Sequence, residues 1–140
     1  MNDLTRAKDI LEQGGYTCVL CRGEVRITDT RRGVKPLLEL LSGGQDYSGY
    51  CAADKVVGKA AAHLYCLLGV KAVYAGIISQ PAKAVLESAG IELSFGAEVN
   101  AIRNRTNTGP CPMESAVWDI SGHEDARQAI LATLKKLQNG

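Results

Sequence analysis

The sequence predicts an α/β domain, a three-layer α-β-α arrangement in which a mixed sheet of about five strands is covered by helices. Three observations carry that reading. Helical patterns alternate with short apolar strand-like runs along the chain. The first two such runs meet at Arg22-Gly23, a two-residue hairpin connection that makes them antiparallel neighbours, while the later runs are separated by helices, as parallel neighbours require. Finally, 140 residues with 46% hydrophobic and 22% charged side chains are the size and composition of one soluble domain, 1–140, with a real core.

Each element follows from its pattern. Leu4, Ala7, Ile10 and Leu11 recur at helical spacing over residues 3–13, and Gly14-Gly15 closes that helix. Residues 16–21 are strand-like, and residues 24–29 alternate with Val25 and Ile27 apolar. Pro36 sits near the first turn of a short helix over 34–42, followed by a polar, glycine-containing loop over 43–49. Alanine richness predicts one long helix over 51–68, ended by Gly69. Residues 70–78 read as a central strand buried on both faces. Pro81 opens a helix that ends at Gly90, residues 91–95 form a fourth strand, and residues 99–103 a short fifth one. A polar loop over 104–112 leads to a helical turn at 113–119, with Trp118 expected to anchor it in the core. Ser121 with Glu124 matches a capping box and introduces a last amphipathic helix over 123–138.

Composition narrows the function classes. A net charge of +1 gives no general grip on nucleic acid, and 5% aromatic residues leave little for a base-stacking platform. No apolar run approaches the roughly 18 residues of a membrane helix, and the polar, charged start of the chain does not read as a signal peptide. Five cysteines scattered through apparently buried segments suggest no disulfide framework, so a reducing, cytoplasmic setting is expected. Cys18-Val19-Leu20-Cys21 is a Cys-x-x-Cys in letters only, because on a strand the two side chains face opposite ways. Cys66 reads as core, and His63 and His123 as single structural histidines. The chain bears no cofactor motif, and a homodimer is a reasonable expectation.

Two stretches stand out as candidate chemistry. The first is Tyr50-Cys51-Ala52-Ala53-Asp54-Lys55-Val56-Val57-Gly58-Lys59, read as the opening of the long helix. A helix start offers free backbone N–H groups and the positive end of a dipole to an anionic ligand. Lys55 and Lys59, four apart, would share a helix face that His63 continues; the plain alternative is that Asp54 caps the helix and the lysines reach out to water. The second is Gly109-Pro110-Cys111-Pro112-Met113-Glu114, a thiol between two prolines at a helical turn. That placement favours a thiolate nucleophile, with Glu114 or His123 as base if folded nearby; the plain alternative is a rigid turn with a small buried cysteine. The loop before it, Arg103-Asn104-Arg105-Thr106-Asn107-Thr108, is dense in donors able to hold phosphate or carboxylate.

The element order and the first stretch resemble cytidine deaminases. In that family a His or Cys, then Ala, then a general acid/base Glu opens a helix, and Pro-Cys-x-x-Cys opens the next helix one crossover strand later. Cys51-Ala52 resembles the first motif, with Ala53 in place of the glutamate; Ser79-Gln80-Pro81-Ala82-Lys83-Ala84-Val85 lies where the second belongs, with Ala82 and Val85 in place of the cysteines. The resemblance therefore implies the fold without the zinc ligands. The chain also resembles, over most of its length, a family of unknown function whose fold is described as cytidine-deaminase-like, through Asp54-Lys55 with Gly58-Lys59 and through Gly109–Glu114.

Three functions compete on this reading. One is a binding protein that holds a small nucleotide-like or other anionic ligand between the 50–59 helix start and the 103–114 loop, through Cys51, Arg103, Asn104, Arg105, Thr106 and Asn107. Another is a non-zinc enzyme with Cys111 as nucleophile, assisted by Asp54, Lys55, Lys59 and Glu114. The third is a remote zinc hydrolase or deaminase recruiting Cys51 and Cys111 with Asp54 or Glu114.

Overall fold

A computed structural model describes residues 2–104 and 106–139. Eleven elements follow in order: α1 (Asp3–Gly14), β1 (Cys18–Arg22), β2 (Val25–Asp29), α2 (Lys35–Ser42), β3 (Cys51–Val57), α3 (Lys59–Leu68), β4 (Ala72–Ser79), α4 (Gln80–Ser88), β5 (Glu92–Val99), α5 (Pro112–Ala116) and α6 (His123–Asn139). The five strands form one mixed sheet in the order β2-β1-β3-β4-β5. β1 is antiparallel to both β2 and β3, whereas β3, β4 and β5 run parallel. The expected α/β class with a five-strand mixed sheet is the architecture found.

Alternation along β1 sorts the two faces. Cys18 and Leu20 enter a large core with α2, α3, α4 and α6, while Val19 and Cys21 pack with Ala7 and Leu11 of α1 on the other side. The letters Cys-x-x-Cys thus point to opposite faces, as strand geometry demands. Asn2 caps α1 by accepting the Thr5 N–H at 2.8 Å. Gly23 (φ +58°) makes the hairpin turn that pairs Arg22 with Val25. No described helix is long and apolar enough to cross a membrane.

Three local expectations are corrected. Residues 51–57 are a strand, and the helix begins only at Lys59, behind an extended Gly58. Alanine is the strongest helix former, but tertiary context overrides propensity: this run lies between β1 and β4, where its backbone polar groups are paired on both sides. Residues 99–103 are not a strand: β5 extends to Val99 and only an isolated bridge joins Arg103 to Pro110. Trp118 is 45% exposed; Val117, at 0%, is the core anchor of that turn.

One feature of the sheet decides where β3 and β4 deliver their side chains. In β3 the positions facing the main helices are Ala52 and Asp54 and then Val57; in β4 they are Val73 and Ala75 and then Ile78. The alternation slips by one at Lys55 and at Gly76, which the register places side by side, with Gly96 of β5 next in the row. Backbone approaches so closely there that a Cβ on Gly76 would lie 2.7 Å from the Lys55 carbonyl oxygen, and one on Gly96 would lie 2.8 Å from that of Gly76. Because of the slip Val56 and Ile77 are exposed, at 43% and 40%, instead of buried against the helices.

Candidate functional site

The parallel strands β3 and β4 each run directly into a helix, so the N-termini of α3 and α4 lie together at one end of the sheet. Both face the same group. Glu114, in the first turn of α5, is only 2% exposed, and its Oε2 accepts the Lys59 backbone N–H at 2.7 Å and the Ser79 hydroxyl at 2.8 Å. Its Oε1 accepts the Ile102 N–H at 2.8 Å. Ser79 in turn caps α4, accepting the Ala82 N–H at 3.3 Å. Gly58 makes room for this carboxylate, since a Cβ there would lie 2.7 Å from Oε2. An internal anion thus fills the position that two helix dipoles make favourable for negative charge. The helix start expected to receive an anionic ligand is closed from within, and Glu114, with both oxygens engaged, is not placed as a base for Cys111.

Asp54 lies elsewhere. It is on β3 rather than on a helix, and its Oδ2 accepts the Tyr65 hydroxyl at 2.7 Å while Oδ1 accepts the Val56 N–H at 3.2 Å. With the tyrosine proton given to Asp54, the buried Cys18 thiol donates to the Tyr65 oxygen at 3.3 Å. Burial pushes the Asp54 carboxyl up to about 6, against the lowering effect of the Tyr65 hydroxyl and the Val56 and Lys55 N–H groups. Burial likewise raises the Cys18 thiol, with the Asp54 charge adding to it, and raises the Tyr65 hydroxyl. The Cys18 thiol and the Tyr65 hydroxyl are therefore held in their protonated forms, which suits a structural hydrogen-bond chain rather than a nucleophile.

The raised Asp54 carboxyl has a measurable consequence. Its unfolded value is near 3.9 and its folded value about 6, so the folded state binds the proton more tightly. The contribution to stability is full below about pH 4 and is lost as pH rises toward 6. Asp54→Asn removes this loss while keeping an acceptor for Tyr65. Relative to the unsubstituted protein it should gain on the order of 2 kcal/mol between pH 4 and pH 7. Urea unfolding across that range checks it; a difference that does not change with pH would contradict the assignment.

The remaining predicted residues are scattered. Cys51 is buried within β3, opposite Cys21 of β1, and Lys55 is exposed on the same strand, so Lys55 and Lys59 do not share a helix face. No hydrogen bond or ion pair among the described residues joins Cys51, Asp54 or Lys55 to the 103–114 segment. That segment is tied to itself: Asn104 N–H donates to the Gly109 carbonyl at 2.9 Å, and Arg103 Nε donates to Asn107 Oδ1. Thr106 and Thr108 bond to each other and to the Asn104 side chain. Asn107 takes a positive φ of 55° at the loop's tip. Arg105 lies outside the described residues. Cys111 is half-buried at the start of the five-residue α5, with its N–H on the Ile102 carbonyl at 2.9 Å.

A different set of polar groups does converge. Lys59, Ser121 and His123 line an open groove of about 420 Å³ whose other wall is α4, through Pro81, Ala84, Val85, Ser88 and Ala89. Lys59 Nζ donates to the Trp118 carbonyl oxygen at 2.7 Å, so the ammonium is tethered to the segment before α6 with donors to spare. Behind His123 lies His63, wholly buried on α3, with the two Nδ1 atoms 2.8 Å apart. Burial first, then the fields of His123 and Lys59, push His63 down to about 4, against the weaker opposite pull of the Ile120 carbonyl. Ser121 makes no capping bond among the described residues; α6 starts at His123 as expected, with the Gly122 carbonyl accepting the Ala126 N–H at 2.9 Å. The Lys59–His63 spacing is legible in the sequence, whereas the partner of His63 lies 60 residues away.

Fold and site together define a mixed-sheet α/β domain in which two adjoining helix N-termini are closed by an internal carboxylate, beside a cationic groove. The chain belongs to the DUF1893 family: the family model described as TM1506, a domain of unknown function (DUF1893), matches residues 6–134. It is also similar in structure to a crystal structure of a DUF1893 family protein (TM1506) from Thermotoga maritima, with a TM-score of 0.87 and 25% identity over 94% of this chain and 90% of that one. No curated protein matches the chain.

Proposed function

We propose that this DUF1893 protein binds a small anion-bearing molecule, nucleotide-like in size, in the groove between α4 and the 118–123 segment. One observation carries the reading: Lys59 from α3, Ser121 from the connecting segment and His123 from α6 meet on a groove of about 420 Å³ whose remaining wall is mostly apolar. Few polar groups on an apolar surface of that size is the usual composition of a ligand site, for which about 300–1,000 Å³ is ordinary.

A deaminase-like ancestry is part of the proposal. Its support is that two consecutive helix starts, separated by one crossover strand, face one point, through Lys59 N–H and the Ser79 hydroxyl. The residues there are Gly58-Lys59-Ala60 and Gln80-Pro81-Ala82. They do not fit zinc, because none carries an imidazole, thiolate or carboxylate, and the Glu114 carboxylate already holds the two helix starts. No group of three His, Cys, Asp or Glu among the described residues is arranged to hold a metal ion.

Thermal unfolding in the presence of nucleotides, sugar phosphates and the matching uncharged nucleosides tests the reading. Anionic compounds are expected to raise the Tm by several degrees once in about hundredfold excess over Kd, corresponding to about 2.7 kcal/mol. Uncharged ones should do little, and Lys59→Met should abolish the shift. No stabilisation by any anionic compound at millimolar concentration overturns it.

A further inference from the structure

The His63–His123 pair has a proton arrangement that its surroundings decide. A hydrogen bond between two Nδ1 atoms at 2.8 Å needs one proton between them, and a neutral imidazole carries only one. If His63 supplied that proton, its wholly buried Nε2 would be a bare lone pair. If His123 supplied it, that Nε2 would carry a proton; in either case it has no hydrogen-bond partner among the described residues. One added proton leaves both Nε2 atoms protonated and one proton still shared between the two Nδ1 atoms, whichever ring supplied it.

His123 is a residue that lines the groove, whereas His63 is wholly buried. The pair can therefore take up a proton without losing the bond between its Nδ1 atoms. Charge held on His63 would lie in the core, so His123 is the ring that carries it. We propose that His123 is the proton-gated half of a two-cation anion receptor, with Lys59 as its permanent half and His63 as the positioning residue that holds the ring. The inference rests on the groove being the ligand site and adds its chemistry: a phosphate- or sulfate-class group, taken up together with a proton.

The charges around the pair are consistent with that coupling. The elements that carry and adjoin the pair bear Lys59 on α3; Glu114 on α5, which accepts the Lys59 backbone N–H; Asp119 in the connecting segment; and Glu124, Asp125 and Arg127 on α6, with Arg127 3.8 Å from Glu124. The α4 wall contributes only uncharged residues. Lys59 opposes a second positive charge nearby, and a bound anion relieves that repulsion. By linkage, whatever the proton does for the anion the anion does for the proton.

Inorganic sulfate is the appropriate probe because its charge is constant over the range in which imidazoles titrate. Its affinity, followed by amide chemical shifts, is expected to rise roughly tenfold from pH 8 to pH 6. Calorimetry in buffers of different ionisation heat should show net uptake of up to one proton. In His123→Gln the residual binding should lose its pH dependence. In His63→Asn, with folding verified by circular dichroism, the pH slope should shrink while Lys59-dependent binding remains. Sulfate binding that is flat with pH in the unsubstituted protein, or an unchanged slope in His123→Gln, overturns this inference and leaves the groove standing. Absence of binding by sulfate and by every organic anion at any pH overturns both.

Discussion

Glu114→Ala is expected to destabilise the fold by about 4 kcal/mol, and to lower the Tm by about 10 °C or more. The carboxylate is 2% exposed and accepts three hydrogen bonds, from the Lys59 and Ile102 backbone N–H groups and from the Ser79 hydroxyl. Removing it leaves three buried donors without an acceptor, each costing about 1–3 kcal/mol before relaxation. It also uncovers the positive ends of two adjoining helices. Water entering the space left behind recovers part of the loss, which is why the sum is not simply threefold. Glu114→Gln keeps one acceptor but turns an amide NH2 toward a donor, so about 2 kcal/mol is expected. The loss should appear in urea unfolding of both variants. The Ile102 end of the 100–111 segment should also show faster amide exchange in Glu114→Ala, because α5 no longer holds it to the sheet. A loss below about 1 kcal/mol for Glu114→Ala would mean that the anchor is dispensable.

Gly76→Ala is the second large effect, at about 3 kcal/mol. The added methyl would lie 2.7 Å from the Lys55 carbonyl oxygen and 3.5 Å from the Lys55 Cα. Those atoms belong to the backbone of a neighbouring central strand, so relief requires separating β3 from β4 where they are paired. The damage should reach Val57 and Ile78, which depend on the slip at this row to face the core. Gly43→Ala is the control: its φ is −70° and the nearest contact of an added Cβ is 3.5 Å, so it should change stability by less than about 0.5 kcal/mol. Equal effects at the two positions would mean that the close approach at Gly76 does not constrain the sheet.

The hairpin, the helices closed by Gly15 and Gly69 and the strand over Ala72–Ser79 were legible because each carries a local signal: a turn, a positive-φ glycine, an apolar run between breakers. The run Cys51-Ala52-Ala53-Asp54 was misread because it opens an alanine-rich stretch, and alanine by itself favours a helix. What makes it a strand is the presence of partners on both sides. That one error moved the rest. With the helix starting at Lys59, Asp54 leaves the supposed ligand site for Tyr65, and Lys55 and Lys59 separate. Cys51, read as the remnant of a metal ligand, becomes an interior residue of the sheet. Glu114 and Lys59 were singled out from the sequence, but the link between them runs through the Lys59 backbone rather than its charge, which no side-chain pattern reveals.

The sequence by itself determined the class of fold, since hydrophobic period, glycine stops and a hairpin turn are properties of neighbouring residues. Only the tertiary structure decided that Glu114 closes the paired helix starts, that Asp54 is consumed by Tyr65, and that His63 meets His123 behind Lys59. Each of these joins groups 11 to 60 residues apart. A contact across such distances exists only because the sheet and its crossovers bring distant chain segments to one place, and the burial that shifts these groups arises only once they are there.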